Sequence, residues 1–339
     1  MRKGECVGGP SRLDTDTGLS EACKYSEDFL SNTRKYISRL PDNNEAILLL
    51  SGGLDSVVAG AFCMADRQGN GHEFLNGLGL EIHPIFFRRG QKAQDAEERS
   101  VDFFDSFFSD SKEFKDRYHH VIKVDAPNPY PEFRSNTPSN LGIPMRQMIM
   151  IGYAVQYAYR LDGERAKEIG VAVKNLPDRE KMRSIYLAEF GERCSTPYPH
   201  SKPAALRVVT MDICLNTSDP LWQVTSPIYD PMLQHNLMDK PMLIKWALGH
   251  DLPIERTMSC YKPVKAEESD EVQAILNGKD MEAEYVHCGR CLSCKTRREA
   301  FSRTEFPDPT EYASESKVSR KSGRPGGQLD ERLVYANNG

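Results

Sequence analysis

The chain has 339 residues, of which 39% are hydrophobic and 27% charged, with a formal net charge of −5 and a pI of about 6.0. This composition is typical of a globular enzyme with one large or two medium domains, and the acidic balance argues against a general basic surface for nucleic acid. No apolar run approaches the ~18 residues of a membrane helix, and the basic start lacks the apolar core of a signal peptide. We therefore expect a cytoplasmic protein with neither a membrane partner nor direct contact with nucleic acid.

The first predicted elements precede residue 45. Residues 1–24 are polar, glycine-rich and aperiodic, which predicts a flexible N-terminal extension. Residues 26–40 have helical periodicity, with Ser26 as a candidate N-cap. The apolar stripe of this helix consists of Phe29, Tyr36, Ile37 and Leu40.

From residue 45 onward, short apolar runs alternate with helical patterns. The predicted strands are residues 45–50, 82–87, 119–124, 168–173 and 221–227. The predicted helices are residues 56–66, 92–108, 144–161, about 205–216, and 239–249, the last with Asp239 as its cap and Gly249 as its end. This β-α-β-α order predicts an α/β fold, a doubly wound parallel sheet with helices on both faces.

A glycine-rich turn separates the first predicted strand from the helix after it. It consists of Ser51, Gly52, Gly53, Leu54, Asp55 and Ser56. Glycines let backbone N–H groups approach an anion, the helix N-terminus adds partial positive charge, and the hydroxyls are further donors. Asp55 can hold or orient a metal ion. Because ligands of open α/β sheets bind at the carboxyl ends of the strands, the turn is predicted to bind phosphate there. Its spacing matches neither a Walker loop nor a dinucleotide-binding fingerprint.

Four of the nine cysteines lie in one late region: Cys260, Cys288, Cys291 and Cys294. The last three are spaced at every third residue, and Gly289 permits the sharp turn that such a spacing needs. Four thiolates suit a tetrahedral structural zinc ion, and an iron–sulfur cluster is the alternative. The uneven placement of the cysteines is not that of a disulfide framework.

The turn resembles the SGG-x-DS loop of the PP-loop ATP pyrophosphatases, whose fold is a HUP-like Rossmannoid sheet. Together with the cysteine pattern, it makes residues 45–303 resemble the 7-cyano-7-deazaguanine synthase (QueC) family. Residues 86–98 resemble that family's Tyr-Gly-Gln segment, with Arg89 in place of tyrosine and Gln91 retained. Further matches are Arg146 in the family's Pro-Gly-Arg-Asn turn, Lys240 in the late helix, and residues 252–261, which resemble a segment ending Trp-Ser-Cys-Tyr.

The resemblance implies an ATP-dependent carbon–nitrogen ligase of queuosine biosynthesis. Such enzymes adenylate the carboxylate of 7-carboxy-7-deazaguanine, convert it with ammonia to an amide, and dehydrate the amide to a nitrile after a second activation. The turn would then hold the phosphates of ATP, with Mg²⁺ at Asp55 and Gln91 beside the nucleotide. Arg146 and Lys240 would be catalytic together with Asp55, and the cysteines would bind structural Zn²⁺. A homodimer is expected by analogy.

The resemblance is weakest after the predicted fourth strand. Family members have an asparagine-and-aspartate loop there, followed by a Ser-Gly-Tyr-Pro-Asp-Cys-Arg segment that helps to hold the deazapurine. Here the corresponding residues are Lys174, Asn175 and Asp178, the Ser-Gly-Tyr part is missing, and an additional stretch follows at residues 184–205. We therefore expect a rebuilt substrate pocket, which leaves the nitrile product open.

Other functions remain open at this point. A specialised relative in bacterial anti-phage defence would transfer the activated deazaguanine to an amine of a protein partner. A tRNA-thiolating enzyme would need a cysteine near the loop, where Cys63 is poorly placed. A nucleotide-binding module without catalysis is disfavoured by the intact Ser51, Asp55 and Ser56.

The chain is predicted to divide into four segments. These are a flexible extension (1–24), the ATP-binding α/β domain (25–250), a zinc-binding C-terminal lobe (251–304) and a flexible basic tail (305–339).

Overall fold

A five-stranded parallel sheet forms the centre of the protein. The computed structural model describes residues 18–67, 76–126, 145–188, 203–228, 230, 233, 238–265 and 285–313. The strands of the sheet are β1 (Glu45–Leu49), β2 (Glu81–Arg88), β3 (Ile122–Asp125), β4 (Ser184–Tyr186) and β5 (Gln223–Thr225). Their order across the sheet is β3-β2-β1-β4-β5, and all neighbouring pairs are parallel. The predicted doubly wound α/β fold is confirmed.

Helices cover both faces of this sheet. They are α1 (Gly18–Arg34), α2 (Leu54–Met64), α3 (Gln94–Asp110), α4 (Arg146–Glu168), α5 (Pro203–Thr217), α6 (Lys240–Gly249) and α7 (Leu292–Ser302). On one face α2, α3 and α6 pack around Val57, Phe104 and Trp246. On the other face α1, α4 and α5 contribute buried residues such as Leu30 and Ile151. No helix within the described ranges has both the length and the apolar character needed to cross a membrane.

Strand β1 shows why this sheet is buried on both sides. Ala46 and Leu48 belong to one core cluster and Ile47 and Leu49 to the other, since successive side chains of a strand point to opposite faces. All four residues are buried, which agrees with the uninterrupted apolar run in the sequence. The central position of β1 places the turn that follows it at the middle of the sheet edge.

The prediction for the first helix was wrong in its boundaries. Helix α1 begins at Gly18, so Ser26 is a fully buried residue in the middle of the helix and not its cap. The helix ends at Arg34 because Lys35 adopts a left-handed conformation, with φ of 68°. The Arg34 guanidinium then hydrogen-bonds to backbone carbonyls on both sides, among them Tyr36 and Pro220 at 3.0 and 3.3 Å.

The predicted fourth strand at residues 168–173 was also wrong. The last residue of helix α4 is Glu168. Gly170 follows with φ of +72° and reverses the chain, so that the Val171 N–H donates to the Ala166 carbonyl. This is a glycine-terminated helix end. Ile169, Val171 and Val173 are exposed, so the apolar run does not enter the core. The real fourth strand, β4, is short and comprises Ser-Ile-Tyr, which gives too little apolar pattern to be recognised.

The remaining predicted elements agree with the structure to within a few residues, apart from α4, which extends seven residues beyond its predicted end at residue 161. The Asp239 side chain accepts a hydrogen bond from the Met242 N–H, so it caps α6 as predicted. Pro144, the first residue of the helix predicted at residues 144–161, lies outside the described residues.

A small lobe follows α6. It contains the antiparallel strands β6 (Val264–Lys265) and β7 (Tyr285–Val286) and helix α7. Residues up to 313 pack on this lobe: the Tyr312 ring lies 5.7 Å from the His287 ring, centroid to centroid. The four-segment division of the chain stays a prediction, and residues 1–17 and 314–339 lie outside the described ranges.

Candidate active site and metal centre

An open cleft of about 400 Å³ lies at the carboxyl ends of β1, β2 and β4. Residues from the ends of these strands, the glycine-rich turn, the start of α3 and α4, and the small lobe line it. The structure thus brings together most of the predicted site residues. Those in the cleft lining are Ser51, Gly53, Asp55, Ser56, Gln91 and Arg146.

Gly52 shapes the predicted phosphate-binding turn. Its φ is +71°, and a β-carbon at this position would lie 2.6 Å from the Glu97 carbonyl oxygen of α3. The Gly52 carbonyl accepts hydrogen bonds from the Met258 N–H and the Ser100 hydroxyl, both at 2.8 Å. Only glycine fits this conformation and this space. The turn is therefore fixed from outside as well as by its own hydrogen bonds.

The two serines of the turn hydrogen-bond to each other. Their hydroxyl oxygens are 3.0 Å apart, and the Ser51 N–H donates to Ser56 Oγ over 3.1 Å. Ser56 Oγ in turn donates to the Gly53 carbonyl over 3.1 Å. This network holds the backbone of the turn in one conformation at the start of α2, the arrangement that suits an anion.

Asp55 and Lys240 form an ion pair at the cleft. Lys240 Nζ lies 3.0 Å from Asp55 Oδ2, and the two side chains are only 13% and 29% exposed. The second oxygen, Asp55 Oδ1, is buried and lacks a hydrogen-bond partner within the described part of the chain. An unpaired carboxylate oxygen beside a phosphate site fits a magnesium ligand. Lys240 thus lies beside the turn that contains Asp55, while the catalytic roles of both residues stay predictions.

Another part of the cleft wall carries two arginines and a mostly buried glutamate. Gln91 Nε2 donates to Glu97 Oε2 over 2.5 Å, and Arg89 Nη2 lies 3.6 Å from the same oxygen. Burial raises the pKa of the Glu97 carboxyl, although the charges of Arg89 and Arg146 oppose this shift. Arg146, the first residue of α4, faces the cleft near this group. This wall can bind an anionic or hydrogen-bonding substrate group.

The four predicted cysteine ligands converge in the small lobe. The sulfur atoms of Cys260, Cys288, Cys291 and Cys294 all lie within 4.8 Å of one another, with individual S–S separations of 3.4 to 4.0 Å. Zn–S bonds of about 2.3 Å at tetrahedral angles require S–S distances of about 3.8 Å. The donor set and its size therefore fit a zinc ion.

The backbone of this cysteine turn supports thiolates. Gly289 has φ of +71°, which confirms the predicted need for glycine in the turn. Burial alone would raise the pKa of the Cys288 thiol. The N–H groups of Arg290 and Cys291, which donate to its sulfur over 3.5 and 3.4 Å, oppose this effect, and the pKa lies below its ordinary value, at about 7. Hydrogen bonds to the thiolate form favour metal binding.

Residues 257–260 join the metal centre to the phosphate-binding turn. The Met258 N–H bonds to Gly52, and Ser259 Oγ accepts a hydrogen bond from the Leu54 N–H over 3.0 Å. On the lobe side, the fully buried Arg297 donates to Thr257 Oγ1 and to the Ile254 carbonyl, both at 2.7 Å. The next residue, Cys260, is a cysteine of the metal centre.

Three residues that the sequence placed beside the substrate are elsewhere. Because α4 replaces the predicted fourth strand, Lys174, Asn175 and Asp178 lie in exposed 3₁₀ turns and not in the cleft lining. The residues that follow the real strand β4 are Leu187 and Ala188, and both line the cleft.

Sequence reasoning did not assign roles to Arg89, Glu97 and Ser259, which the structure places in the cleft. Glu97 and Ser259 belong to residues 86–98 and 252–261, two of the segments that resemble the QueC family. Their closeness to a glycine-rich turn far away in the chain depends on the order of the strands, and local sequence gives no signal for it.

The fold and the site define an α/β protein of the PP-loop kind, whose C-terminal lobe contains a tetracysteine site suited to a metal ion. The model of the family "Queuosine biosynthesis protein QueC" matches residues 45–305. This chain belongs to that family.

Several curated relatives support the assignment at low identity. A 7-cyano-7-deazaguanine synthase of Rickettsia akari is 24% identical over 284 residues, covering 79% of this chain and 99% of the relative. The enzymes with the same name from Methanococcus maripaludis and Ruthia magnifica are each 25% identical, covering 80% and 84% of this chain and 100% and 99% of their own lengths.

Proposed function

We propose that this protein is an ATP-dependent enzyme that adenylates the carboxylate of 7-carboxy-7-deazaguanine and converts it with ammonia to the amide and then the nitrile. The observation that carries the proposal is the phosphate-binding turn with the Asp55–Lys240 pair beside it, at a cleft that Arg146 also lines. The curated relatives bear the name of a synthase for this nitrile.

The chemistry requires the leaving pyrophosphate to be stabilised. In adenylation, a carboxylate oxygen bonds to the α-phosphorus of ATP, and the bond from that phosphorus to pyrophosphate breaks. Backbone N–H groups of the turn and the Lys240 ammonium would hold the negative charge that develops. A bound magnesium ion would supply further neutralisation, and Asp55 Oδ1 is the oxygen placed to hold it.

The reaction also needs a site for the acid and, in its second step, for the acceptor. Arg146 and Arg89 line the cleft together with the turn, and a guanidinium there would orient a carboxylate toward the α-phosphorus. Ammonia then attacks the acyl carbon and AMP leaves, giving the amide. A second adenylation, on the amide oxygen, lets AMP leave with loss of a proton and gives the nitrile.

The rebuilt substrate pocket stays a prediction. It depended on a fourth strand at residues 168–173, followed by a loop without the family's Ser-Gly-Tyr segment. The structure instead has β4 at Ser184–Tyr186, so the residues that correspond to the family's segment would follow Ala188. The structure of residues 189–202 lies outside the described ranges. Ammonia is the acceptor we propose, because the curated relatives bear the name of a nitrile synthase, and transfer to a protein amine is an outcome that the assay distinguishes.

The test combines nucleotides and deazapurines in one assay. The protein is incubated with ATP, magnesium, 7-carboxy-7-deazaguanine and ammonium, and the products are followed by mass spectrometry. AMP together with the nitrile supports the proposal. AMP or a stable adenylate without the nitrile would retain the activation step and redirect the search to another amine. No AMP would contradict the proposal.

A further inference from the structure

Ser259 brings a hydroxyl from the metal-containing lobe to the phosphate-binding turn. Its Oγ accepts a hydrogen bond from the Leu54 N–H, the first backbone donor of α2, over 3.0 Å. The side chain also lines the cleft. Ser259 and Leu54 are 205 residues apart in the sequence.

The hydroxyls of Ser51 and Ser259 flank Gly53. A β-carbon on Gly53 would lie 3.4 Å from Ser51 Oγ and 3.5 Å from Ser259 Oγ. The backbone of Gly53 is in the ordinary extended region, with φ of −75°, so its conformation does not require glycine. What glycine preserves here is the space between two hydroxyls at the start of a helix, where a phosphate oxygen would fit.

The hydroxyl groups of Ser51, Ser56 and Ser259 donate their protons to different groups. In the turn, Ser56 donates to the Gly53 carbonyl, which leaves Ser51 as the donor in the contact between the two serine oxygens. Both protons are then used within the turn. Ser259 Oγ is an acceptor toward Leu54, and no acceptor for its own proton lies among the described residues, so that proton can serve a group in the cleft.

We propose that Ser259 is a phosphate-binding residue of the ATP site, supplied by the metal-containing lobe; this inference rests on the proposed function. Its hydroxyl donates to a phosphate oxygen while accepting from the Leu54 N–H. Cys260 follows it directly, and the Cys260 sulfur is held by N–H groups of Lys262 and Cys288 at 3.3 and 3.2 Å. The metal centre therefore fixes the position from which Ser259 reaches the phosphate.

Binding of pyrophosphate with magnesium to the metal-replete full-length chain tests this inference without relying on turnover. Isothermal titration calorimetry compares the wild type with Ser259→Ala, and circular dichroism checks that each variant folds. A hydrogen bond to a charged group predicts that Ser259→Ala weakens binding about tenfold or more. Ser259→Thr retains a hydroxyl and should recover most of the affinity.

Two further variants separate phosphate contact from general support of the turn. Ser302→Ala makes the same chemical change at an exposed position of α7, where the hydroxyl donates to the Glu299 carbonyl, and should bind as the wild type does. Ser100→Ala removes a buried hydroxyl that supports the Gly52 carbonyl and does not line the cleft. Its effect on binding should be clearly smaller than that of Ser259→Ala.

The outcomes distinguish the inference from the function on which it rests. If the wild type binds pyrophosphate and Ser259→Ala binds equally well, Ser259 is not a phosphate ligand, while the ATP site stands. An equal loss in Ser100→Ala and Ser259→Ala would assign Ser259 to support of the turn and would also overturn the inference. If the wild type binds neither pyrophosphate nor ATP, the proposed function itself is wrong.

Discussion

Lys240 forms an ion pair with Asp55 of the phosphate-binding turn, with Lys240 Nζ 3.0 Å from Asp55 Oδ2. Each is near the start of a helix, Asp55 in the first turn of α2 and Lys240 at the first position of α6. The ammonium charge is therefore held by a carboxylate whose other oxygen is buried and unpaired within the described residues. A phosphate group and its cation would give both side chains a new partner of the opposite charge.

Replacing the carboxylate tests the role of this pair. Asp55→Asn keeps the shape of the side chain and removes the charge that would hold a cation. We expect AMP formation to fall by at least about 100-fold, the scale of losing a group that stabilises a charged transition state, with little change in the fold. The measurement is AMP release at saturating magnesium, alongside a circular dichroism spectrum.

Asp102→Asn is the matched control, because Asp102 pairs with Lys123 on the exposed side of α3. It should leave AMP formation unchanged. Wild-type turnover in Asp55→Asn would refute the assignment of the turn to phosphate chemistry.

The lysine should act mainly on the nucleotide. In Lys240→Met the aliphatic length is retained and the ammonium is lost. We expect a higher KM for ATP and weaker inhibition by pyrophosphate, together with a loss of about 1–3 kcal/mol of unfolding free energy, because the mostly buried Asp55 carboxylate loses its partner. Steady-state kinetics at several ATP concentrations measure the effect.

Lys245→Met on the same helix removes a partner of Glu305 and serves as the control. An unchanged KM for ATP in Lys240→Met would show that Lys240 only neutralises Asp55.

The parts of the site predicted from sequence are those whose chemistry is local. The turn at residues 51–56 and the cysteine spacing each contain their geometry within a few residues, because glycine conformations and ligand spacing are short-range properties. The alternation of apolar runs similarly gave the fold class.

The features that the sequence did not predict depend on contacts between residues that are distant in the chain or on the end of a neighbouring element. Strand β4 has only three residues, and its place in the sheet is decided by pairing with β1 and β5, which no local pattern reveals. The run at residues 168–173 has the composition of a strand, but it begins with the last residue of a long helix and contains Gly170, whose left-handed conformation terminates that helix. Ser259 was unassigned because its partner, Leu54, is distant in sequence.

Gly52 and Gly90 provide a matched test of how tightly the turn is packed. Both have positive φ, of +71° and +68°, but a β-carbon on Gly52 would clash with a backbone oxygen, whereas one on Gly90 would meet nothing within 4 Å. Gly90→Ala should cost about 1 kcal/mol of stability, from conformational strain alone. Gly52→Ala adds the clash and should cost at least about 2 kcal/mol more.

Urea denaturation of both variants measures the difference. Equal destabilisation would mean that the start of α3 can move away from the turn, and that the turn is less rigid than its hydrogen bonds indicate.

Metal removal should disrupt more than the small lobe. A structural zinc site contributes about 10–16 kcal/mol of apparent binding free energy, against a total domain stability of about 5–15 kcal/mol. We expect one metal ion per chain by elemental analysis, and loss of both helical signal at α7 and pyrophosphate binding after complete chelation. Strong visible absorbance with bound iron would instead identify an iron–sulfur cluster.

Cysteine variants separate the metal ligands from other thiols. Cys291→Ser should lose the metal, while Cys63→Ala should retain it, because Cys63 is buried in the core of α2, away from the cluster. Native fold and pyrophosphate binding in the metal-free chain would contradict the structural role.

Two neighbouring glutamates of α3 should respond to pH in opposite directions. Burial raises the pKa of Glu97 above 4.5, the ordinary value for a glutamate. Hydrogen bonds from Arg88 and Lys123 hold the pKa of Glu98 at about 2. A raised pKa in the folded state means that the contribution of Glu97 to stability is fully present below pH 4.5 and is lost as the pH rises through its folded value. The contribution of Glu98 is present above pH 4.5 and is lost as the pH falls toward 2.

Neutral substitutions at these two positions therefore have opposite expected effects on stability at pH 7. Glu97→Gln should raise the midpoint of urea denaturation, because it removes a buried charge, and the gain should shrink as the pH is lowered toward 4.5. Glu98→Gln should lower the midpoint, by a small amount since its ion pairs are partly exposed to solvent. Denaturation curves at pH 5, 6, 7 and 8 give the slope for Glu97→Gln, and curves extended below pH 4.5 give the slope for Glu98→Gln. If Glu97→Gln were destabilising at pH 7, the charge of Glu97 would be stabilised by Arg89 and Arg146 more than burial disfavours it, and this wall of the cleft would be an ion-pair network already complete without substrate.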